Sequence, residues 1–222
     1  MIESNRLDKT TSTYKIMNMI KHLSTLLCTL FLLYGCASNK NIERTQPVEY
    51  QSKAERNKKV NKIQQWQVKG KIAFIEQNKR ESASMFWQND QIKQTQSLKL
   101  TTYLGINVLS LTSDKDHHEV EIDGENYQSD NLEQLIYSLT GLNFPTKALQ
   151  YWLKGLSYSD KDHITYDEKS NLPLTLISFY QGSAWQINYK KYQQVNNVYL
   201  AHQFSIKQND LTIKIIINQW KL

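Results

Sequence analysis

The side chains best suited to chemistry are few and mostly sit together. Asp114, Asp116, His117, His118 and Glu119 crowd one short stretch, and carboxylates beside imidazoles are the groups that ligate metals or carry protons. Neighbours on an extended chain point to opposite sides, so the two histidines would meet on one ion only through a special turn. The stretch therefore reads as a solvated loop leading into a strand at Val120, and no metal is expected. The only thiols are Cys28 and Cys36. There is no C-x-x-C, no H-E-x-x-H, no G-x-S-x-G and no glycine-rich phosphate loop. Neither a catalytic residue nor a cofactor site is expected, and the sequence does not read as an enzyme.

Cys36 has a setting of its own. Lys21 and His22 precede an apolar run from Leu23 to Tyr34, which is shorter than the roughly 20 residues that span a bilayer and has the form of an export signal. Leu33-Tyr34-Gly35-Cys36 resembles the bacterial lipobox. That resemblance implies acyl chains on the Cys36 thiol and a mature chain beginning there. A plain secretory signal or an uncleaved anchor is the alternative. Met1 to Ile16 is an unusually polar preface, and a start at Met17 or Met19 would give an ordinary basic lead. The expected organisation is a signal over 1–35, a lipidated polar tether over 36–50 and one domain over 51–222. Ala37 stands where, in such lipoproteins, an aspartate resembles a signal for inner-membrane retention, so the outer membrane is the expected address.

From Cys36 onward there are 23 basic against 19 acidic side chains, a net +4 spread along the chain. No dense basic block points to nucleic acid. Cys28 would leave with the signal and Cys36 would be acylated, so no disulfide is expected.

Gln51 to Gln65 has good helix formers with sparse apolar positions at Ala54, Val60 and Ile63, the pattern of an exposed helix with a narrow packing stripe. At Trp66 the period becomes two. Trp66, Val68, Ile72 and Phe74 fall on one face, and the rhythm recurs through Ala83, Met85 and Trp87, through Leu98 and Leu100, through Leu109 and Leu111, and through Val120 and Ile122. Asp123-Gly124 offers a hairpin turn toward Tyr127. The rhythm breaks between Asp130 and Gly155. Asp130 and Glu133 form a capping-box pattern, Leu132, Leu135, Ile136 and Leu139 follow at helical spacing, and Gly141 stops the helix. A second helix near Pro145 shows Ala148, Leu149, Trp152 and Leu153 on one face. Alternation then resumes with Leu172, Leu174 and Leu176, with Trp185, Ile187 and Tyr189, with Leu200, Phe204 and Ile206, and with Leu211 to Ile217.

About ten or eleven antiparallel strands exceed what a flat sheet carries comfortably. The fold class expected is mainly β with helices (α+β): a curled, incompletely closed antiparallel barrel with a helical lid. Whether the lid covers an apolar cavity or an ordinary filled core is not decided by periodicity. A lipid-anchored binding module and a structural scaffold of the envelope both remain open.

Gly70-Lys71-Ile72-Ala73-Phe74, Phe86-Trp87-Gln88, Tyr103-Leu104-Gly105, Leu139-Thr140-Gly141, Trp152-Leu153-Lys154-Gly155-Leu156, and Trp185 with Tyr189 and Tyr192 occur in an order that resembles the LolB family over about Gln51 to Trp220. The resemblance implies an outer-membrane lipoprotein that takes other lipoproteins from a soluble periplasmic LolA-like carrier and inserts them into the outer membrane. It implies an incomplete barrel with a helical lid over an apolar cavity for the client's acyl chains; a monomer is expected. It also implies a protruding loop whose leucine, here Leu104, touches the membrane. Two departures stand out: Tyr103 replaces a proline common in that loop, and Leu200-Ala201 stands where Leu-Pro is expected. The residues expected to line the cavity are Ile72, Phe74, Met85, Trp87, Leu98, Leu100, Trp152 and Trp185.

Overall fold

Alternation of apolar and polar residues over most of the chain dictates a large sheet, and the computed structural model, which describes residues 51–77 and 79–222, shows one. The signal, Cys36 and the tether lie outside the described residues. Helix α1 spans Lys53–Asn61. Strands β1 (Gln65–Glu76), β2 (Lys79–Asp90), β3 (Thr95–Thr101), β4 (Asn107–Asp114), β5 (His117–Ile122) and β6 (Glu125–Ser129) follow. Helices α2 (Leu132–Thr140) and α3 (Thr146–Trp152) come next, then β7 (His163–Tyr166), β8 (Pro173–Tyr180), β9 (Ser183–Val195), β10 (Val198–Gln208) and β11 (Leu211–Lys221).

All eleven strands form one sheet in the order β6-β5-β4-β3-β2-β1-β11-β10-β9-β8-β7. Each neighbouring pair is antiparallel. Two meanders are thus joined by the β1–β11 ladder, and the strip is not closed, since β6 and β7 are its edges. The helices that separate those edges in sequence bridge them in space. Helix α2 packs on β5 and β6 and reaches Tyr180 of β8 through Glu133.

The joining ladder depends on a glycine. A bulge at Lys69/Gly70 sets the β1–β11 register, and a Cβ built on Gly70 would lie 2.0 Å from the Ile216 carbonyl oxygen. Only a residue without Cβ allows the two backbones to approach this closely. At one end of the strands, the rim, lie Gln77, the Thr102–Ile106 loop and the turns at Asp123-Gly124, Gln181-Gly182 and Asn209-Asp210. Gln65, Asp90, Asp114, Val198 and Lys221 lie at the other end, the base.

The helices differ from the sequence pattern in two places, the buried stripe of α1 and the cap of α2. Helix α1 does have a full capping box, Ser52 with Glu55, but its buried residues are Arg56 and Val60, while Ala54 is exposed. Helix α2 is capped by Asn131, whose side chain accepts from the Gln134 N–H at 3.1 Å, and not by Asp130. Glu133 is thereby released from its expected capping role. Strand β7 was not visible as a period, because four residues (His-Ile-Thr-Tyr) carry too little alternation to register. The unit Val48–Leu222 holds one continuous apolar cluster from Val60 to Trp220, so it has what a domain needs to fold on its own.

Candidate functional site

The concave side of the sheet is built row by row from residues placed opposite one another. Phe74, Ile213, Ile206, Ile187, Leu176 and Ile164 form one row across β1, β11, β10, β9, β8 and β7. Ile72, Ile215, Phe204 and Tyr189 form the next. On the other side Met85, Leu100, Leu109 and Ile122 make one row, and Val68, Trp87, Leu98, Leu111 and Val120 another. Six of the expected lining residues, Ile72, Phe74, Met85, Trp87, Leu98 and Leu100, therefore share the concave face. Trp152 joins them from α3 and Trp185 from β9.

The structure brings all eight into one cluster, with Phe74 only half-buried at its margin. They are packed, not arrayed round an open void: Trp87, Trp152 and Ile72 are among the largest fully buried side chains. Of the eight, Trp185 borders a cavity of about 250 Å³ at the rim, between α2 and the β8–β9 turn, where Phe144, Tyr137 and Tyr180 also line it.

The two helices are held by different contacts. Trp152 lies against Trp185 with ring centroids 5.9 Å apart, and its carbonyl accepts from the Tyr189 hydroxyl at 2.9 Å. Its indole Nε1 donates to Asp162 Oδ2 at 3.3 Å. Asp162 also accepts from the Ser178 hydroxyl at 2.7 Å and from the Tyr158 N–H at 2.7 Å. Burial alone would raise the Asp162 carboxyl, but these donors outweigh it and hold it below the usual carboxylate range. Just beyond α3, buried Arg56 donates to the carbonyls of Lys154 (2.8 Å) and Gly155 (3.2 Å). Lys154 in turn donates to the Ile63 carbonyl at 3.0 Å, and burial brings its amine down to about 8. At the far end of the lid α2 buries Leu132, Leu135 and Ile136. Glu133 accepts from the Tyr180 hydroxyl at 2.8 Å and from the exposed Gln181 amide.

The Thr102–Ile106 loop presents Tyr103, Leu104 and Ile106 at 91, 68 and 63% exposure. It is not floppy in form: Thr102 N–H donates to the Ile106 carbonyl at 2.9 Å, and the Thr102 hydroxyl accepts from Ile106 N–H at 3.2 Å. Leu104 is thus an exposed apolar side chain on a bonded turn. In the acidic and histidine stretch, His117 is exposed and His118 buried, and among the described residues no group of three or more His, Cys, Asp or Glu is placed to hold a metal.

Sequence reasoning missed Arg56, Glu133 and Asp162. Arg56 occupied a helix position where charge signals solvent, and Asp162 sat in a Ser/Asp stretch that reads as a turn. The partners of Arg56 and Glu133 lie far along the chain, and Asp162 bonds its neighbours Tyr158 and Ser159 as any turn aspartate would while also reaching Trp152 and Ser178.

The family described as "Outer membrane lipoprotein LolB" matches residues 64–220. The outer-membrane lipoprotein LolB of Pseudoalteromonas translucida is 31% identical over 209 residues, covering 93% of this chain and 98% of its own. That of Aeromonas hydrophila is 32% identical, covering 93% and 99%. Among solved structures, a LolA superfamily protein from Nitrosomonas europaea gives a TM-score of 0.49 at 8% identity, over 78% of this chain and 94% of its own, a likeness too loose to place any residue. With a family match that spans the whole sheet and relatives aligned over nearly their full lengths, the chain belongs to the LolB family of outer membrane lipoproteins.

Proposed function

We propose that this protein receives lipoproteins from a LolA-like periplasmic carrier and delivers them into the outer membrane, where acyl chains on Cys36 hold it. The observation that carries the reading is an apolar concave sheet roofed by helices α2 and α3, whose apolar faces are buried against it. Burial of acyl chains is worth about 0.8 kcal/mol per CH₂, so a client with chains of roughly 16 carbons cannot cross water unsheltered. A packed interior whose roof lifts exchanges its own side-chain contacts for contacts with those chains. Transfer then needs no chemical step, because the chains pass from carrier to protein to a bilayer that holds them more favourably still.

Leu104 supplies the membrane end of the path. One inserted leucine contributes about 1.5–3 kcal/mol, enough for a reversible touch and too little for attachment. Attachment falls to Cys36, since stable anchoring takes more than one acyl chain. The protein acts as a single chain. The test mixes the Val48–Leu222 unit with a carrier loaded with a labelled lipoprotein. Label moving to the unit supports the reading, and label remaining on the carrier with well-folded protein present refutes it.

A further inference from the structure

Basic side chains that are scattered along the sequence are gathered by the fold on the convex side of the sheet. In one row across β1, β11, β10 and β9, Lys71 and Lys190 flank Ile216 and Gln203. The row toward the base sets Lys69 beside Phe86 and Lys99. Toward the rim, Lys214 stands between Ala73 and Ser205, and the next row runs from Arg80 through Ile75 and Thr212 to Lys207. All seven cations are exposed. From β3 through β1 to β9 these four rows hold no carboxylate. On this side of the sheet carboxylates stand beyond them, at Glu119 and Glu121 of β5 and at Asp90 and Asp114 in the last row at the base. Among the described residues the one salt bridge joins Lys79 to Glu81, and none of the seven takes part in it. Like charges without counter-charges raise a positive potential over the whole face, which measures about 24 Å across its six strands and about 20 Å along them.

We propose that this convex face lies against the anionic phospholipid headgroups of the membrane, beside the Leu104 loop. The proposal rests on the outer-membrane reading above and not on where acyl chains bind. Three features favour headgroups over an acidic protein. Six of the seven cations are lysines, strongly hydrated point charges on flexible stems that suit a diffuse layer of phosphates, whereas the planar arginine fork that pairs a carboxylate in fixed geometry occurs once. The face also lacks the aromatic anchor round which protein interfaces form: Ile216 is its exposed large apolar side chain, and the Phe86 ring is taken by the Lys69 ammonium at 5.8 Å. Finally, the loop that carries Leu104 begins at Thr102, just past the end of β3, the strand that carries Lys99. An apolar tip bordered by lysines makes a two-part contact, and two weak signals together hold a bilayer where either alone is marginal.

The test sediments the Val48–Leu222 unit with vesicles of phosphatidylcholine alone and of phosphatidylcholine mixed with phosphatidylglycerol. The parent should bind the anionic vesicles roughly tenfold tighter or more, and the difference should shrink as added salt screens the face. Lys71→Gln, Lys99→Gln and Lys214→Gln together should lose roughly tenfold of that affinity at an unchanged melting temperature, and arginine at the same three positions should restore it. Lys58→Gln, Lys115→Gln and Lys161→Gln, which lower the net charge equally at exposed positions off this face, should bind as the parent does. Equal binding to the two kinds of vesicle, or an equal loss in the second triple variant, overturns the proposal. If the first triple variant holds vesicles as the parent does but no longer takes label from a loaded carrier, the face docks an acidic protein and the proposal fails. A parent that prefers anionic vesicles yet takes no label from the carrier upholds this proposal and refutes the transfer reading.

Discussion

The two meanders share one alternating pattern but use their inner faces differently. From β1 through β11 to β7 the interior rows are mainly aliphatic or aromatic, with Ser178, His202 and Gln208 buried among them, and Trp152 of the lid is locked to this side by Trp185, Tyr189 and Asp162. From β2 to β5 two apolar rows give way at the base to Asn89, Gln96, Ser113 and His118, and the polar bond that α3 makes there is Gln150 to Gln96 at 3.2 Å. The first half reads as the wall that holds the lid. Against the second, α2 packs on β5 and β6.

Changes on the holding side should cost most. Trp152→Ala removes a fully buried side chain and should lower stability by about 3–5 kcal/mol in urea unfolding. Gly70→Ala strikes the seam between the halves and forces a backbone shift against Ile216. A loss of about 3 kcal/mol is expected, and an unaltered midpoint would show that the seam is not tight. Arg56→Met leaves the Lys154 and Gly155 carbonyls without their donor and should cost about 2–3 kcal/mol. Faster hydrogen exchange at Leu153 to Leu156 in that variant would show that Arg56 holds the chain just beyond α3.

Acid should weaken the same side. The Asp162 carboxyl titrates lower in the fold than in the unfolded chain, so its stabilisation is full above the unfolded value near about 4 and is lost as pH falls through the folded one. Asp162→Asn should flatten that part of the stability profile. The smallest stability effect belongs to Leu104→Glu, within about 0.5 kcal/mol, since the residue is exposed. It should nevertheless slow delivery into liposomes while leaving acceptance from the carrier unchanged, and delivery at the parent rate would remove the membrane role from this loop.

Much of this comparison was legible in the sequence, because period-two spacing fixes which residues share a face: Ile72 with Phe74, Met85 with Trp87, Leu98 with Leu100. The helical interruption was equally visible in Leu132, Leu135 and Ile136. What periodicity hides is the exception on the inward face. Asn89, Gln96 and Ser113 continue the inward parity of their strands, but a polar residue at a strand end is read as the approach to a turn. The holding contacts were hidden for a different reason. Arg56 meets Gly155, and Glu133 meets Tyr180, across sequence distances that no local pattern encodes.

The claim on which everything rests is that acyl chains enter the space now filled by side chains under the lid. All five tryptophans, Trp66, Trp87, Trp152, Trp185 and Trp220, are buried there, so they report on it directly. A fatty acid brominated in mid-chain should quench their fluorescence saturably on titration into the Val48–Leu222 unit, while aqueous iodide leaves it nearly unchanged. Fluorescence that brominated chains leave unquenched, in protein that remains folded, would show a filled core with no place for lipid and would contradict the account.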